Sequence, residues 1–309
     1  MKEFDFIQQI VASNAKLPGH VVVPPGDDMA VLRIGGAEVL AAVDQVIAGV
    51  HYDPAITPME KVGRKAVCRN LSDVAAMAAK PSGMLCCVAL PKSMGATDAH
   101  RLLEAVRATG ERYACPLVGG DTGMHDGPLT LSVTVFAEPD GIAPVTRSGA
   151  RPGDLLYVTG RLGGTQIEHA GRTPHLDFEP RLDLARHLAG DDATRPRAMI
   201  DLSDGLARDL GHLASHARLL AEDLPVAAAA HAAAERSGWP AYRHALGDGE
   251  DHELLFAIAP GQREAVEALS CDDLTLTCIG QVTDAGGLVV THAGEPIDLT
   301  GLGWEHTDG

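Results

Sequence analysis

Aromatic residues make up only 4% of the 309 residues, positive charge is sparse, and long apolar runs are missing. Each shortage closes off a class of function. Lys and Arg number 25 against 42 Asp and Glu, giving a formal net charge of −17. No segment then supplies the basic face that a nucleic acid or an anionic membrane surface requires. No apolar stretch approaches the ~20 residues that span a bilayer, and the opening MKEFDFIQQIVASNA reads as an amphipathic helix, not a signal peptide, so a cytoplasmic protein is expected. The six cysteines (Cys68, Cys86, Cys87, Cys115, Cys271, Cys278) show no CxxC spacing and the 14 histidines no HExxH, so zinc is not expected. The cysteines read as reduced, buried thiols, with Cys86 and Cys87 on opposite faces of a strand, and most histidines read as solvated.

What the chain does have is aspartate at the ends of apolar runs. Asp27 and Asp28 lie in PPGDDMAVL, Asp44 in AAVDQV, Asp73 in NLSDVAAM, Asp121 in VGGDTG, and Asp201 and Asp204 in MIDLSDGL. A fold gathers functional groups where strands end and backbones turn. Taken singly, each aspartate has a plain structural use in a turn or cap; Asp204, for example, stands where it could cap the helix that follows. As a set they point to hard oxygen ligation, which suits Mg²⁺ or Ca²⁺, and Mg²⁺ commonly shares a few carboxylates with substrate phosphates. The expectation is a Mg²⁺-assisted phosphate enzyme.

Length favours two domains. AVLRI and EVLAAVD flank Gly35-Gly36 as a hairpin, and Pro58 opens a helix running to about Ala79, bent near Asn70 to Asp73. MLCCVALP, PLVGG and LTLSVTVFAE read as strands and Thr97 to Ala114 as a helix. The Gly- and Pro-rich GIAPVTRSGARPGD separates residues 1–140 from residues 150–309. Beyond it come the strand LLYVTG, a turn GRLGGT that lacks the GxxxxGK[ST] pattern, helices at Arg181–Leu188 and Leu206–Ala217, a short strand ahead of Pro225, HELLFAIA, a helix from Gln262 to Leu269, and the strands LTCIGQV and GLVVTH. Both halves mix strands and helices, an α/β (mixed α+β) chain.

The motifs GDDMAVL, VDQVIAGVHY, NLSDVAAMAAKP, VGGDTG, TRSGARPGD, MIDLSDGLARDLGHL, GEDHELLF and GWEH, in this order, resemble those of the thiamine-monophosphate kinases, relatives of aminoimidazole ribonucleotide synthetase and selenophosphate synthetase. The resemblance runs from about Phe4 to His306. It implies transfer of the ATP γ-phosphoryl group to thiamine monophosphate by a homodimer whose N-terminal strands form a shared barrel, beside a larger C-terminal α/β domain. It implies Mg²⁺ ligands at Asp28, Asp44, Asp73, Asp121, Asp201 and Asp204, with Asp44, Asp121 and Asp204 central to catalysis. Nucleotide contacts fall at Gly120, Asp121, Arg147 and Ser203, and thiamine-phosphate contacts at His51, Glu250 and Trp304. Residues 1–140 would bind ATP and Mg²⁺ and dimerise. The chain departs from the pattern at Val43, where the family has a hydroxyl residue, and at Asp248, His252 and Tyr52. Two alternatives stay open: another ATP-dependent synthetase of the same superfamily, activating an amide or formyl oxygen, and a nucleotide-binding protein without catalysis.

Overall fold

The computed structural model describes residues 16–271 and 274–304, with residues 9 and 12. The expected N-terminal helix and the end of the GWEH motif lie outside the described residues. In the first half, β1 (Val21–Val23), β2 (Ala30–Ile34), β3 (Ala37–Ile47), β4 (Lys80–Pro91), β5 (Leu117–His125) and β6 (Thr130–Glu138) form one sheet, ordered β1-β2-β3-β6-β4-β5. Only the β4–β5 pair is parallel. The β2–β3 hairpin turns on Gly35 and Gly36, both at positive φ, the tight turn that such a pair favours. Along β6 burial alternates residue by residue, so Leu131, Val133, Val135 and Ala137 face the core. The helices α1 (Met59–Ala76) and α2 (Ala96–Arg112) accompany this sheet. α1 is one continuous helix through Asn70 to Asp73, where a bend was expected, and it stops at Ala76, not Ala79.

The second half holds β7 (Leu155–Thr159), β8 (Ala198–Asp201), β9 (Ala217–Leu220), β10 (Leu254–Ile258), β11 (Leu276–Val282), β12 (Leu288–His292) and β13 (Glu295–Pro296), ordered β13-β12-β9-β11-β7-β10-β8. Its helices are α3 (Pro174–Asp177), α4 (Leu182–Gly190), α5 (Leu206–Leu213), α6 (Ala228–Ser237), α7 (Ala241–Gly247) and α8 (Arg263–Glu267). The sequence reading missed β8, α6 and α7 and carried α5 into what is β9. β7 and β10 are almost wholly buried because both faces are covered. Leu156, Val158, Leu255 and Ala257 enter one core with Leu206, Leu210 and Leu246. Tyr157, Leu254, Phe256 and Ile258 enter the other, which also takes α1 and the first sheet. One core therefore crosses the 140–154 segment, and α1 lies where the halves meet. Among the described residues neither sheet closes into a barrel.

All six cysteines are unpaired; Cys68 and Cys115 are buried as expected, but Cys87 and Cys271 are exposed. His175, His244 and His252 are the buried exceptions among the described histidines, most of which were expected to be solvated, and each lies beside a carboxylate.

Candidate active site

Three of the aspartates converge. One carboxylate oxygen each from Asp28, Asp73 and Asp201 lies within 4.8 Å of the others. The NLSD motif explains how α1 reaches them. Asn70 Oδ1 accepts from the Asp44 backbone N–H at 3.1 Å, tying the helix to β3. Ser72 Oγ donates to Asp201 Oδ2 at 2.7 Å, and Asp73 follows. Asp27 takes a structural part: it accepts from the backbone N–H groups of Asp28 and Arg147. Arg147 Nη2 then donates to Asp28 Oδ1 at 2.7 Å.

Burial and crowding dominate the electrostatics here. Burial drives the Asp28 carboxyl up to about 7, although the Arg147 charge opposes the rise. Asp73 is pushed well above the carboxylate range by burial and by the charges of Asp44, Asp201 and Asp28. Burial also acts upward on Asp201, but hydrogen bonds from His252 and Ser72 outweigh it and hold the group low. Asp28 Oδ2 is buried without a hydrogen-bond partner. Three hard oxygen donors with an unsatisfied lone pair fit a divalent cation such as Mg²⁺.

Beside this cluster lies a cleft of about 730 Å³, open mouth included, lined by Asp44, His51, Arg69, Ser203, Asp204, Glu250 and Trp304 among others. Its far wall is built on a buried lysine. Lys65 Nζ, with no exposed side-chain surface, lies 2.6 Å from Glu250 Oε1, 2.5 Å from the His51 carbonyl oxygen and 2.7 Å from His175 Nδ1. Gln166 Nε2 donates to Glu250 Oε2 at 2.7 Å. Burial pulls Lys65 down to about 8. Glu250 is held far below the usual carboxylate range: burial acts upward, but His175 and Lys65 outweigh it. His51 closes the turn after β3, its Nδ1 accepting from the Ile47 N–H at 3.0 Å. The Trp304 backbone N–H donates to the Asp204 carbonyl at 2.8 Å, and its ring is half exposed at the cleft.

The other sequence candidates separate. Asp204 and Ser203 line the cleft. Asp204 does not cap α5: the Asp209 carboxylate does, accepting from the Asp204 and Gly205 N–H groups at 3.0 Å each. Asp121 and Gly120 lie on β5, the exposed edge strand. Register makes the difference plain. Asp44 pairs with Val133, Val133 with Cys86 and Cys86 with Gly120, a row on the buried face; Asp121 shares the next row with Cys87, Ser132 and Gln45, on the opposite face. Three strand spacings, about 14 Å, separate the Asp44 and Gly120 strands. One chain thus does not bring Asp121 to the cluster. Gly120 has a structural reason of its own, since a Cβ there would sit 1.8 Å from the Cys86 carbonyl oxygen.

Comparison with known proteins shows which family the chain resembles. Residues 26–138 match the model of the AIR synthase related protein, N-terminal domain. The thiamine-monophosphate kinase of Rhodopirellula baltica is 36% identical over 298 residues, covering 93% of this chain and 91% of the relative. That of Escherichia coli K12 is 36% identical over 302 residues, covering 91% and 90%. The chain belongs to the thiamine-monophosphate kinase family. The solved structure of AaThiL complexed with AMPPCP and TMP superposes with a TM-score of 0.81 at 28% identity, covering 99% of this chain and 97% of that one. Escherichia coli HypE, a hydrogenase maturation protein, shares the fold at 18% identity, with a TM-score of 0.72 over 96% of this chain and 98% of HypE.

Sequence reasoning missed several residues that build this family member's site: Lys65, Arg69, Gln166, His175 and Asp209. The helical spacing of Lys61, Arg64, Lys65 and Arg69 was the available signal. These side chains form one stripe of α1 that meets Asp177, Glu179 and Glu250 of the second half. The departures also acquire partners. The His252 ring stacks on Phe178 with centroids 4.1 Å apart and reaches Asp201 Oδ2 at 3.4 Å, so the ring position is still packed. In the GRLGGT turn, the Gly163 and Gly164 N–H groups donate to Asp251 and Asp248 at 2.7 Å each. Those donors are already committed to carboxylates, as in a plain turn.

Proposed function

We propose that this protein transfers the γ-phosphoryl group of ATP to the phosphate of thiamine monophosphate, giving thiamine diphosphate and ADP. The observation that carries the reading is the Asp28, Asp73 and Asp201 triad, with Asp28 and Asp201 buried and Asp73 partly so, at the edge of a cleft whose other wall is a charge-balanced Lys65–Glu250–His175 network. Family membership and the likeness to AaThiL complexed with AMPPCP and TMP support it.

Asp28, Asp44, Asp73, Asp201 and Asp204 would hold Mg²⁺, with Asp121 the sixth ligand. Bound Mg²⁺ would screen the phosphates from one another and from the carboxylates and stabilise charge on the transferred group. Arg147, anchored on Asp28, Ser203 and Gly120 are the nucleotide contacts in this reading. His51, Glu250 and Trp304 take the acceptor. The acceptor phosphate has its second pKa near 6, so it arrives largely deprotonated at about pH 7 and no general base is needed. Transfer is direct and in line, because the carboxylates committed to metal leave no activated nucleophile for a phosphoenzyme.

The displaced Asp121 favours a homodimer. Among the described residues β5 is an edge strand nine residues long, unpaired on one side and exposing Val118, Asp121 and Met124, while Val43 is exposed on the same open face as Asp121. A second copy closing the sheet into a shared barrel would cover that edge and bring its own Asp121 toward this chain's Asp44. Residues 1–140 then form the ATP- and Mg²⁺-binding, dimerising domain, residues 150–309 the second, and the enzyme works in the cytoplasm. Among the described residues no helix is long and apolar enough to cross a membrane.

The experiment is chromatographic product analysis with ATP and Mg²⁺. Thiamine diphosphate should form from thiamine monophosphate and not from thiamine. Equal turnover of thiamine removes the acceptor assignment.

A further inference from the structure

The proposed reaction, on which this inference rests, sets an order along the cleft. The acceptor carries its rings at one end, beside His51, Glu250 and Trp304, and must present its phosphate toward the carboxylate cluster. The acceptor phosphate therefore lies between Glu250 and Asp44. The side chain found there is Arg69, from the last turns of α1: Nε is 3.4 Å from Asp44 Oδ2 and Nη1 is 3.9 Å from Glu250 Oε1. We propose that Arg69 binds the phosphate of the acceptor and makes the site select a phosphorylated over an unphosphorylated substrate.

Three observations carry the assignment. Arg69 is the only Lys or Arg among the described residues lining the cleft, where four carboxylates, Asp44, Asp204, Asp248 and Glu250, also stand. An anion entering between them has one fixed cation to meet. Both carboxylate contacts are longer than the about 2.7–2.9 Å of a charge-assisted hydrogen bond. Nε is moreover buried without a hydrogen-bond partner, and Nη1 is committed only to the Gln45 carbonyl oxygen at 3.2 Å. The guanidinium thus holds donor capacity in reserve. With 14% of the side chain exposed it is already placed, so little ordering accompanies binding.

Calorimetric titration of the wild type, Arg69→Gln and Arg69→Lys with thiamine monophosphate and with thiamine, alongside the KM for ATP, tests this. Arg69→Gln should weaken thiamine monophosphate about tenfold or more while thiamine binding and the KM for ATP stay within about twofold; Arg69→Lys, keeping charge but losing the fork, should fall between. If Arg69→Gln weakens both ligands equally, or neither, Arg69 merely ties Asp44 to Glu250 and the inference fails while wild-type turnover still supports the kinase. If the wild type makes no thiamine diphosphate, both readings fall. Should Arg69→Gln not fold, Arg69→Lys carries the test, and an unchanged ratio of the two affinities overturns the proposal.

Discussion

The two ends of the cleft solve opposite electrostatic problems. At the Asp28, Asp73 and Asp201 end, like charges are buried together and opposed chiefly by Arg147, so two carboxyls rise toward neutrality. At the Glu250 end, a partly buried carboxylate is met by Lys65 and His175 and stays ionised. A buried charge that lacks a partner in the protein must find one elsewhere or be neutralised by a proton. In the proposed reading cations and phosphates complete the first end, whereas the fold itself finishes the second, which would orient the acceptor.

The largest effects should come from the unfinished end. Asp73→Asn and Asp44→Asn should each lower kcat by more than about 100-fold, because a lost ligand removes several kcal/mol of transition-state stabilisation. Near-normal rates would place the metals elsewhere. Asp121→Asn should be as severe, with an added signature if the proposed dimer forms. If Asp121 serves the other copy's site, mixing and reassorting equal amounts of Asp44→Asn and Asp121→Asn should restore about a quarter of wild-type activity, since half the dimers are mixed and each has one intact site of two. No recovery, with subunit exchange verified, would place both aspartates in one chain's site.

Stability against pH sharpens the same contrast. Asp28 titrates near 7 in the folded protein and Asp73 is raised too, so between the unfolded carboxylate range and about pH 7 these two groups bind more protons in the native state than in the unfolded chain. Without divalent cations, stability should therefore be present at low pH and decline as pH rises toward and through about 7. If the cluster holds Mg²⁺ as proposed, Mg²⁺ should flatten that decline by binding the deprotonated cluster of the native state only. Scanning calorimetry from about pH 5 to about pH 8, with chelator and with Mg²⁺, checks the sign. A melting temperature that climbs with pH under chelator would mean that the cluster is not strained.

At the finished end the effects should be smaller and confined to the acceptor. Lys65→Met leaves Glu250 buried without its cation and frees the His51 turn, and should raise the KM for thiamine monophosphate about tenfold or more with the KM for ATP nearly unchanged. Trp304→Ala should do the same by about 5- to 150-fold if the ring stacks on the heterocycle, a contact worth roughly 1–3 kcal/mol. A fall in melting temperature with both KM values intact would show that these side chains only pack.

How far the sequence carried this picture follows the same line. The carboxylates were legible because an aspartate after an apolar run announces itself locally, and so were the hairpin at Gly35-Gly36 and the alternation of β6. Lys65 was not, because nothing local distinguishes it from the surface lysine of an amphipathic helix. Its partners Glu250 and His175 lie more than 100 residues away in sequence, and only the packing of α1 between the halves brings them together. Asp209 was hidden similarly, its carboxylate capping from inside the helix while Asp204 occupied the expected place. β8 was missed because four residues ending in a candidate ligand, AMID, read as a motif and not as a strand.

The smallest expected effect lies at Asp248, one of the positions where the chain departs from the motifs it resembles. Its carboxylate accepts from the Gly164 N–H at 2.7 Å and meets His244 Nδ1 at 2.9 Å, while His244 Nε2 lies 2.8 Å from Ser237 Oγ. The extra negative charge therefore pins the 160–165 turn to α7 at the rim of the cleft and is matched locally. Asp248→Ala introduces no backbone strain, since the residue is already in the helical region at φ −68 and ψ −31. Loss of these two partly buried contacts should cost about 1–2 kcal/mol, which for a chain of this size lowers the melting temperature by only a few degrees. The KM for thiamine monophosphate should stay within about threefold, because Glu250 keeps Lys65, His175 and Gln166. A larger rise in that KM, without loss of stability, would make Asp248 part of the acceptor site and weaken the division between an unfinished end and a finished one.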